Sequence, residues 1–376
     1  MRTIGFPRMH KELSEVRDFL PDLIHNLAPV AGGIVIEEGS GSGIGIESCQ
    51  YVEEFGNIRI GSSKDCYDQD IVVQIRSPED DELARMKPGT ILFSMLHYST
   101  HPGRVQLMSE LGIRPISMDS VVGDSGLRLI EELRGTSWNA VWAGFRALKK
   151  TYPAFADKDR KPIEVVVVGA GQVGRYAAEA ATKYGDVALN EEFLSLGVPG
   201  VVVHLIDRNI TQDETALKAL FQRADMIVDA TLRADPTRYV IDNHLIGALL
   251  QHAVILDAAA DPYISDTKPM QVKAIEGIPT GDLDQYEFPP DHSAFDRLPK
   301  GVCSDNRRMT VSCYSWPGIK PKQCMESYGR QVREMLKILL AQPYEELSLE
   351  KANVFMRALY RGTLEYYHNH QRNLDP

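Results

Sequence analysis

The sequence has no long apolar run, no surplus of positive charge and no paired-cysteine spacing, and each absence removes a class of protein. No stretch approaches the roughly 20 consecutive apolar residues that cross a bilayer, so no membrane-spanning helix is expected. The opening Met1-Arg2-Thr3-Ile4-Gly5-Phe6-Pro7 lacks the apolar core of a signal peptide and reads as a first strand, which predicts a cytoplasmic protein. Asp and Glu outnumber Lys and Arg by 52 to 41, for a formal charge of -11, and this disfavours a nucleic-acid partner. An acidic whole can still hold a basic pocket, so an anionic small substrate stays open. The cysteines, Cys49, Cys66, Cys303, Cys313 and Cys324, are odd in number and none has C-x-x-C spacing. Neither a disulfide framework nor a zinc site is indicated, and buried free thiols are expected. The histidines show no metal-ligand spacing, so no metal is predicted.

What is present points to two α/β domains. The 376 residues suffice for two domains of ordinary size, and 43% hydrophobic with 25% charged content is globular. Ile34–Ile36, Ile71–Ile75 and Thr90–Ser94 look like strands, while Leu13–Leu27 and Gly103–Leu111 look helical. Strands separated by helices predict a mostly parallel sheet. The Gly39–Gly45 run lacks the Lys-Ser/Thr ending of a P-loop and has the wrong glycine spacing for a dinucleotide turn, so it reads as a flexible loop. Thr136–Leu148 has helical spacing and reads as a hinge into the next domain. Later come strands at Val201–Asp207, Ala224–Thr231, Ala253–Asp257 and Met309–Tyr314, then an amphipathic stretch Gln323–Leu340 and a helix from Leu349 to about Tyr367.

The strongest single signal is Val165-Val166-Val167-Val168-Gly169-Ala170-Gly171-Gln172-Val173-Gly174. Four valines read as a strand buried on both faces. Gly169 permits the tight turn, Gly171 lets the backbone approach a pyrophosphate, and Gly174 lets the following helix pack closely. Gln172 and Val173 open that helix, whose N–H groups and dipole face the phosphates. Asp207 closes the next strand, where a carboxylate bonds ribose hydroxyls and repels a 2′-phosphate, so NAD is favoured over NADP. Arg208 beside it is a candidate phosphate ligand. Asp207 lies farther from the glycines than the usual roughly 20 residues, because Lys183–Pro199 reads as an insertion. Leu232, just past the strand at Ala224–Thr231, falls at the carboxyl edge where open α/β sheets bind ligands, and is a further cofactor candidate.

Taken together, the motifs resemble the alanine dehydrogenase / pyridine nucleotide transhydrogenase N-terminal family, with lysine-forming saccharopine dehydrogenases as relatives. Gly5-Phe6-Pro7 looks like the family's opening strand, and Glu15-Val16-Arg17 like its Glu-x-Arg, whose arginine holds the substrate carboxylate. Glu38-Gly39-Ser40-Gly41 matches its glycine loop, and Phe93–His97 its Leu-His, whose histidine contacts the substrate oxo or imino group. Asp257-Ala258-Ala259-Ala260-Asp261 is similar to its Asp-x-Ala-x-Asp, whose second aspartate lies against the nicotinamide. Ser315-Trp316-Pro317 resembles the segment closing over the cofactor, which makes Ser315 a cofactor candidate. The resemblance implies two Rossmann-like domains: a split substrate domain, 1–135 completed by 319–376, and an inserted NAD-binding domain, 136–318. It also implies a homo-oligomer.

One departure bears on chemistry. Where family members carry a lysine in a Lys-x-Lys-like stretch, this chain has Gln74-Ile75-Arg76. Arginine binds carboxylate well as a bidentate fork but stays protonated, so Arg76 fits carboxylate binding better than proton transfer. The expected reaction is therefore reversible oxidative deamination of an L-amino acid to a 2-oxo acid with NAD. Arg17 and Arg76 bind substrate; His97 and Asp261 are catalytic. His101 reads as loop and Asp257 as a structural capping residue. Trp142–Phe145, Ala259–Asp261 and Val198–Gly200 look more like the saccharopine and opine branch, so an imine-reducing dehydrogenase is the alternative. A non-catalytic NAD-binding regulatory protein is a third reading.

Overall fold

The computed structural model describes residues 1–53, 55–265 and 267–371. Two compact units divide the chain: Met1–Glu132 with the residues from Pro321 onward, and Leu133–Lys320. Each is built on a six-stranded sheet, as an α/β chain of two Rossmann-like sheets requires.

In the first unit the strands are β1 (Thr3–Phe6), β2 (Gly33–Glu37), β3 (Ile58–Gly61), β4 (Ile71–Arg76), β5 (Ile91–Met95) and β6 (Arg114–Ser117). Their order is β3-β2-β1-β4-β5-β6, and every pairing is parallel. Strand order therefore reverses between β1 and β4, and ligands bind outside the carboxyl ends of the strands at such a point. Ile71, Val73 and Ile75 of β4 enter one core, with Met325, Val332 and Leu336 of the helix Pro321–Ala341. Val72 enters the opposite core with Leu92 and Met108. Burial on both faces explains why β4 reads as a continuous apolar run rather than an alternation.

The second unit contains β7 (Ile163–Val168), β8 (Val201–Ile206), β9 (Met226–Asp229), β10 (Val254–Asp257), β11 (Glu287–Phe288) and β12 (Met309–Ser312), ordered β11-β12-β10-β9-β7-β8. Only β11 runs antiparallel, against β12. The valine run splits by parity. Val165 and Val167 pack with the helices Leu133–Thr151 and Gln172–Ala181, while Val166 and Val168 pack with Leu217, Phe221 and Ile255 on the other face. All four are fully buried, each contributing about 1.5–3 kcal/mol by removal from water. The order reverses between β7 and β9, directly at the glycine turn.

Several local expectations change. The helix expected over 13–27 is confined to Pro21–Leu27, because Pro21 cannot donate within a helix interior and instead starts one. The C-terminal helix divides into Val354–Arg361 and Leu364–Gln371. Between them Gly362 accepts from Ser117 N at 2.7 Å and Thr363 bridges to Ile116, so the backbone there serves β6 instead of a helix. The insertion holds a helix, Val187–Ser195, capped by the Asp186 carboxylate. Cys66, Cys313 and Cys324 are buried free thiols, Cys303 is half-buried and Cys49 is exposed.

Candidate functional site

Both units carry a cluster at the point where their strand order reverses. In the first unit the chain leaving β1 crosses the ends of β2 and β4. Glu37, the last residue of β2, accepts from Arg8 N at 2.8 Å and contacts His10 Nε2 at 2.6 Å. Asp18 accepts from Gly41 N at 2.9 Å and faces Arg8 Nε at 3.5 Å, which ties the glycine loop to the 12–18 segment. Burial pushes the Asp18 carboxyl up, against the opposing pull of the Gly41 N–H and Arg8.

Arg17 is buried and forked onto Glu15, with Nε–Oε1 at 2.8 Å and Nη2–Oε2 at 2.5 Å. Burial disfavours its cation, but the hydrogen bonds and charge of Glu15 outweigh that and raise its pKa. Arg76, at the end of β4, reaches Glu12 and lies 3.7 Å from Glu15. Both expected carboxylate ligands are thus together, and both already face protein carboxylates. A pocket of about 420 Å³ adjoins Arg76, bordered by His10, Lys11, Gln74, Glu79 and Arg85.

His97 follows β5, and Arg76 is in register with Met95, two residues before it. Its backbone is left-handed, with φ 47°, unusual for a side-chain-bearing residue. Asp119 explains how this is held: Oδ1 accepts from Leu96 N (3.1 Å), His97 N (3.2 Å) and Ser117 Oγ (2.6 Å). Oδ2 lies 3.5 Å from His97 Nδ1, and the imidazole is half-exposed. With Nδ1 directed at a carboxylate, Nε2 is the nitrogen left for a ligand. His101 stands beside it, with its ring centroid 6.4 Å from that of His97 and Nδ1 3.3 Å from His97 O, and burial lowers its pKa.

In the second unit Gly169 has φ 110°, and a Cβ there would meet Ala230 O at 2.4 Å. A Cβ on Gly174 would lie 1.7 Å from Gly169 O, so both positions exclude any side chain. Gly171 is different: nothing lies within 4 Å of its Cβ direction, and it precedes the helix Gln172–Ala181 without a side-chain cap. The space beside Gly171 is thus open at a helix N-terminus whose first-turn N–H groups have no side-chain cap, as an incoming pyrophosphate requires. Asp207 caps the short helix that begins with Arg208, accepting from Asn209 N at 2.9 Å and Ile210 N at 3.4 Å. Leu232 is fully exposed, whereas Ser315 is buried and donates N–H to Cys313 Sγ at 3.3 Å.

Beneath the ends of β9 and β10 lies a buried ionic group that the sequence did not disclose. Asp257 accepts from Lys273 Nζ at 2.6 Å, Ser312 Oγ at 2.8 Å and Ala260 N at 2.7 Å. Asp229, in register with Asp257, is fully buried; desolvation and then the charge of Asp257 push its carboxyl well up. Ala260 is left-handed (φ 57°), and Asp261 follows it, paired with Arg233 at 2.7 Å. Lys273 had one visible signal, a lone charge in Val272-Lys273-Ala274-Ile275; Arg233 and Asp119 had none. Among the described residues no group of three His, Cys, Asp or Glu side chains is placed to hold a metal, and no helix is long and apolar enough to cross a membrane.

Two mostly parallel sheets, one carrying a glycine turn at its switch point, define an α/β chain of two Rossmann-like units. Residues 18–133 match the family described as alanine dehydrogenase/PNT, N-terminal domain. The chain is 21% identical to the NAD(P) transhydrogenase subunit alpha of Haemophilus influenzae, over 95% of this chain and 70% of that one. It is 25% identical to the alanine dehydrogenase of Bacillus subtilis, over 76% of each. An L-alanine dehydrogenase structure superposes with a TM-score of 0.71 at 20% identity, covering 96% of this chain and 94% of the other. The chain is accordingly similar to alanine dehydrogenases and transhydrogenase alpha subunits.

Proposed function

We propose that the protein is an NAD-dependent amino-acid dehydrogenase of the alanine dehydrogenase type. It interconverts an L-amino acid, NAD⁺ and water with a 2-oxo acid, ammonium, NADH and a proton. The observation that carries this reading is His97, held left-handed by Asp119 with Nδ1 turned to its carboxylate and Nε2 left over, two residues beyond Met95, the register partner of Arg76. The relatives named alanine dehydrogenase support the same chemistry.

The first unit supplies the substrate ligands. Arg17 and Arg76 hold the carboxylate, bidentate forks that match a planar anion. His97 Nε2 hydrogen-bonds the amino or oxo group and moves its proton, while Asp119 steadies the imidazolium. The second unit fits a nicotinamide dinucleotide: Gly171, Gln172, Val173 and Gly174 cradle the pyrophosphate, and Leu232 and Ser315 border the cofactor. Asp207 retains acceptor capacity for ribose hydroxyls, and its charge favours NAD over NADP, with Arg208 alongside. Bound there, the nicotinamide supplies the hydride chemistry. Asp261 belongs to the nicotinamide side and orients water or ammonia. Residues 1–135 with 319–376 are assigned to substrate and 136–318 to nucleotide, in a cytoplasmic homo-oligomer.

The pocket of about 420 Å³ beside Arg76, bordered by Glu79 and Glu82, favours a second reading, because it offers room and carboxylates for a larger amine: an opine- or saccharopine-type enzyme reducing the imine of a 2-oxo acid and an amino acid. A panel of 2-oxo acids with ammonia or with lysine, followed at the NADH absorbance, separates the two. Turnover only with lysine overturns deamination, and tight NADH binding with no turnover anywhere overturns both.

A further inference from the structure

Arg233 stands in the loop after β9, directly beside the fully exposed Leu232, yet its own side chain is 7% exposed. Its Nη2 donates to Asp261 Oδ2 at 2.7 Å and to Val272 O at 2.6 Å. Nη1 donates to Arg238 O at 2.8 Å and to Pro236 O at 3.3 Å. One planar fork therefore ties its own loop, the backbone at Val272 and the Asp261 carboxylate together, which a single ammonium could not do in the same directions.

The carboxylate so tied sits in a constrained place. Ala260, the residue before it, occupies left-handed space that side-chain-bearing residues rarely enter. Asp257 holds it there through the Ala260 N–H, and Lys273 and Ser312 hold Asp257. The main chain is thus fixed from beneath, and the Asp261 rotamer is fixed from the side. Arg233 takes Oδ2 and leaves Oδ1 as the second acceptor of a carboxylate whose side chain is about a third exposed.

We propose that Arg233 is a positioning residue for Asp261, fixing the carboxylate so that Oδ1 is presented to the cationic nicotinamide of the oxidised cofactor. The inference rests on the assignment of Asp261 to the nicotinamide side. A fixed anion stabilises the positively charged oxidised ring more than the neutral reduced one, and the effect fades when the anion swings into water and is screened. Arg233 thereby sets the balance between the two redox forms of the nucleotide, in addition to ordering its loop.

The test is calorimetric titration of NAD⁺ and NADH into the full-length protein and its Arg233→Lys, Arg233→Gln and Asp261→Asn variants, and into the Arg233→Lys/Asp261→Asn double variant. Arg233→Lys, which keeps the cation but loses the fork, is expected to shift the ratio of the two dissociation constants about threefold or more toward NADH, and Arg233→Gln, which also removes the opposing positive charge, shifts it less. Asp261→Asn shifts it in the same direction, and the double variant goes no further, as coupled residues behave. Equal weakening of both nucleotides by Arg233→Lys and Arg233→Gln, or additive shifts in the double variant, overturns the proposal while leaving Asp261 in its role. An unchanged ratio in Asp261→Asn overturns the assignment of Asp261, and the proposal with it.

Discussion

Lys273 Nζ lies 2.6 Å from Asp257 Oδ2 with both side chains nearly inaccessible to solvent, a full ion pair under the carboxyl edge of the second sheet. Its partners are complete, since Ser312 and the Ala260 N–H take further acceptor sites of the same carboxylate. Removing the cation alone strands a buried anion. Lys273→Met is expected to cost about 3–5 kcal/mol in urea unfolding, and pairing it with Asp257→Leu to recover much of that loss. Full stability in the single variant would contradict the buried pair.

Asp229 sets a pH dependence. Its carboxyl is pushed up by burial and by Asp257, so between the ordinary aspartate pKa and the raised value the native state holds a proton that the unfolded chain has lost. Stability then falls as pH rises through that window, with a slope of at most about 1.4 kcal/mol per pH unit. Asp229→Asn, which mimics the protonated form, is expected to flatten this slope in denaturant titrations run at about pH 5 and about pH 8.

For His97 the expectation is kinetic. His97→Ala lowers kcat/KM by about 10²- to 10⁴-fold, the usual worth of a positioned proton donor and acceptor. Nucleotide dissociation constants stay unchanged, because His97 and the glycine turn belong to different units. Asp119→Asn, which keeps the backbone acceptor but weakens the pairing with Nδ1, gives a smaller loss. Unchanged turnover in His97→Ala with the true substrate would remove the histidine from the mechanism.

The two glycines of the turn separate folding from binding. Gly174→Ala drives a methyl to 1.7 Å from Gly169 O, so the thermal unfolding midpoint and NADH binding fall together. A Cβ on Gly171 meets no protein atom within 4 Å and the residue has an ordinary extended φ, so Gly171→Ala is expected to retain stability while fluorescence-detected NADH binding is lost.

Asp207→Ser keeps a capping oxygen for Asn209 N but removes the charge. NADPH is expected to gain on NADH in binding titrations, and the lost carboxylate cap costs no more than about 1 kcal/mol. An unaltered preference would place nucleotide discrimination elsewhere.

The central strands were legible, and of the edge strands only β8 was. β7, β9 and β10 are buried on both faces, so their apolar runs stand out against any background. β3 (Ile58-Arg59-Ile60-Gly61) and β6 (Arg114-Pro115-Ile116-Ser117) close the two sides of the first sheet, where half of the strand needs no partner and charge or proline is tolerated. Neither stands out as a strand in the sequence. The candidate side chains at strand ends, Arg76, His97 and Asp207, could be named because position along a strand is local information. Lys273 and Arg233 could not, because their roles depend on residues 16 and 28 positions away that only the folded sheet brings near. Glu12 shows the same limit, since its contact with Arg76 spans 64 positions.

Glu15 gives the first unit a carboxylate of its own. Forked by Arg17 and 3.7 Å from Arg76, it occupies in the resting protein the kind of ligand that the two arginines are proposed to bind. An incoming substrate carboxylate must share or displace this tethered competitor, so its measured affinity is the difference between two similar interactions. Such an arrangement keeps the arginines paired with protein carboxylates rather than with water. Loosening the tether by Glu15→Gln should tighten substrate binding at the cost of arginines that wander in its absence.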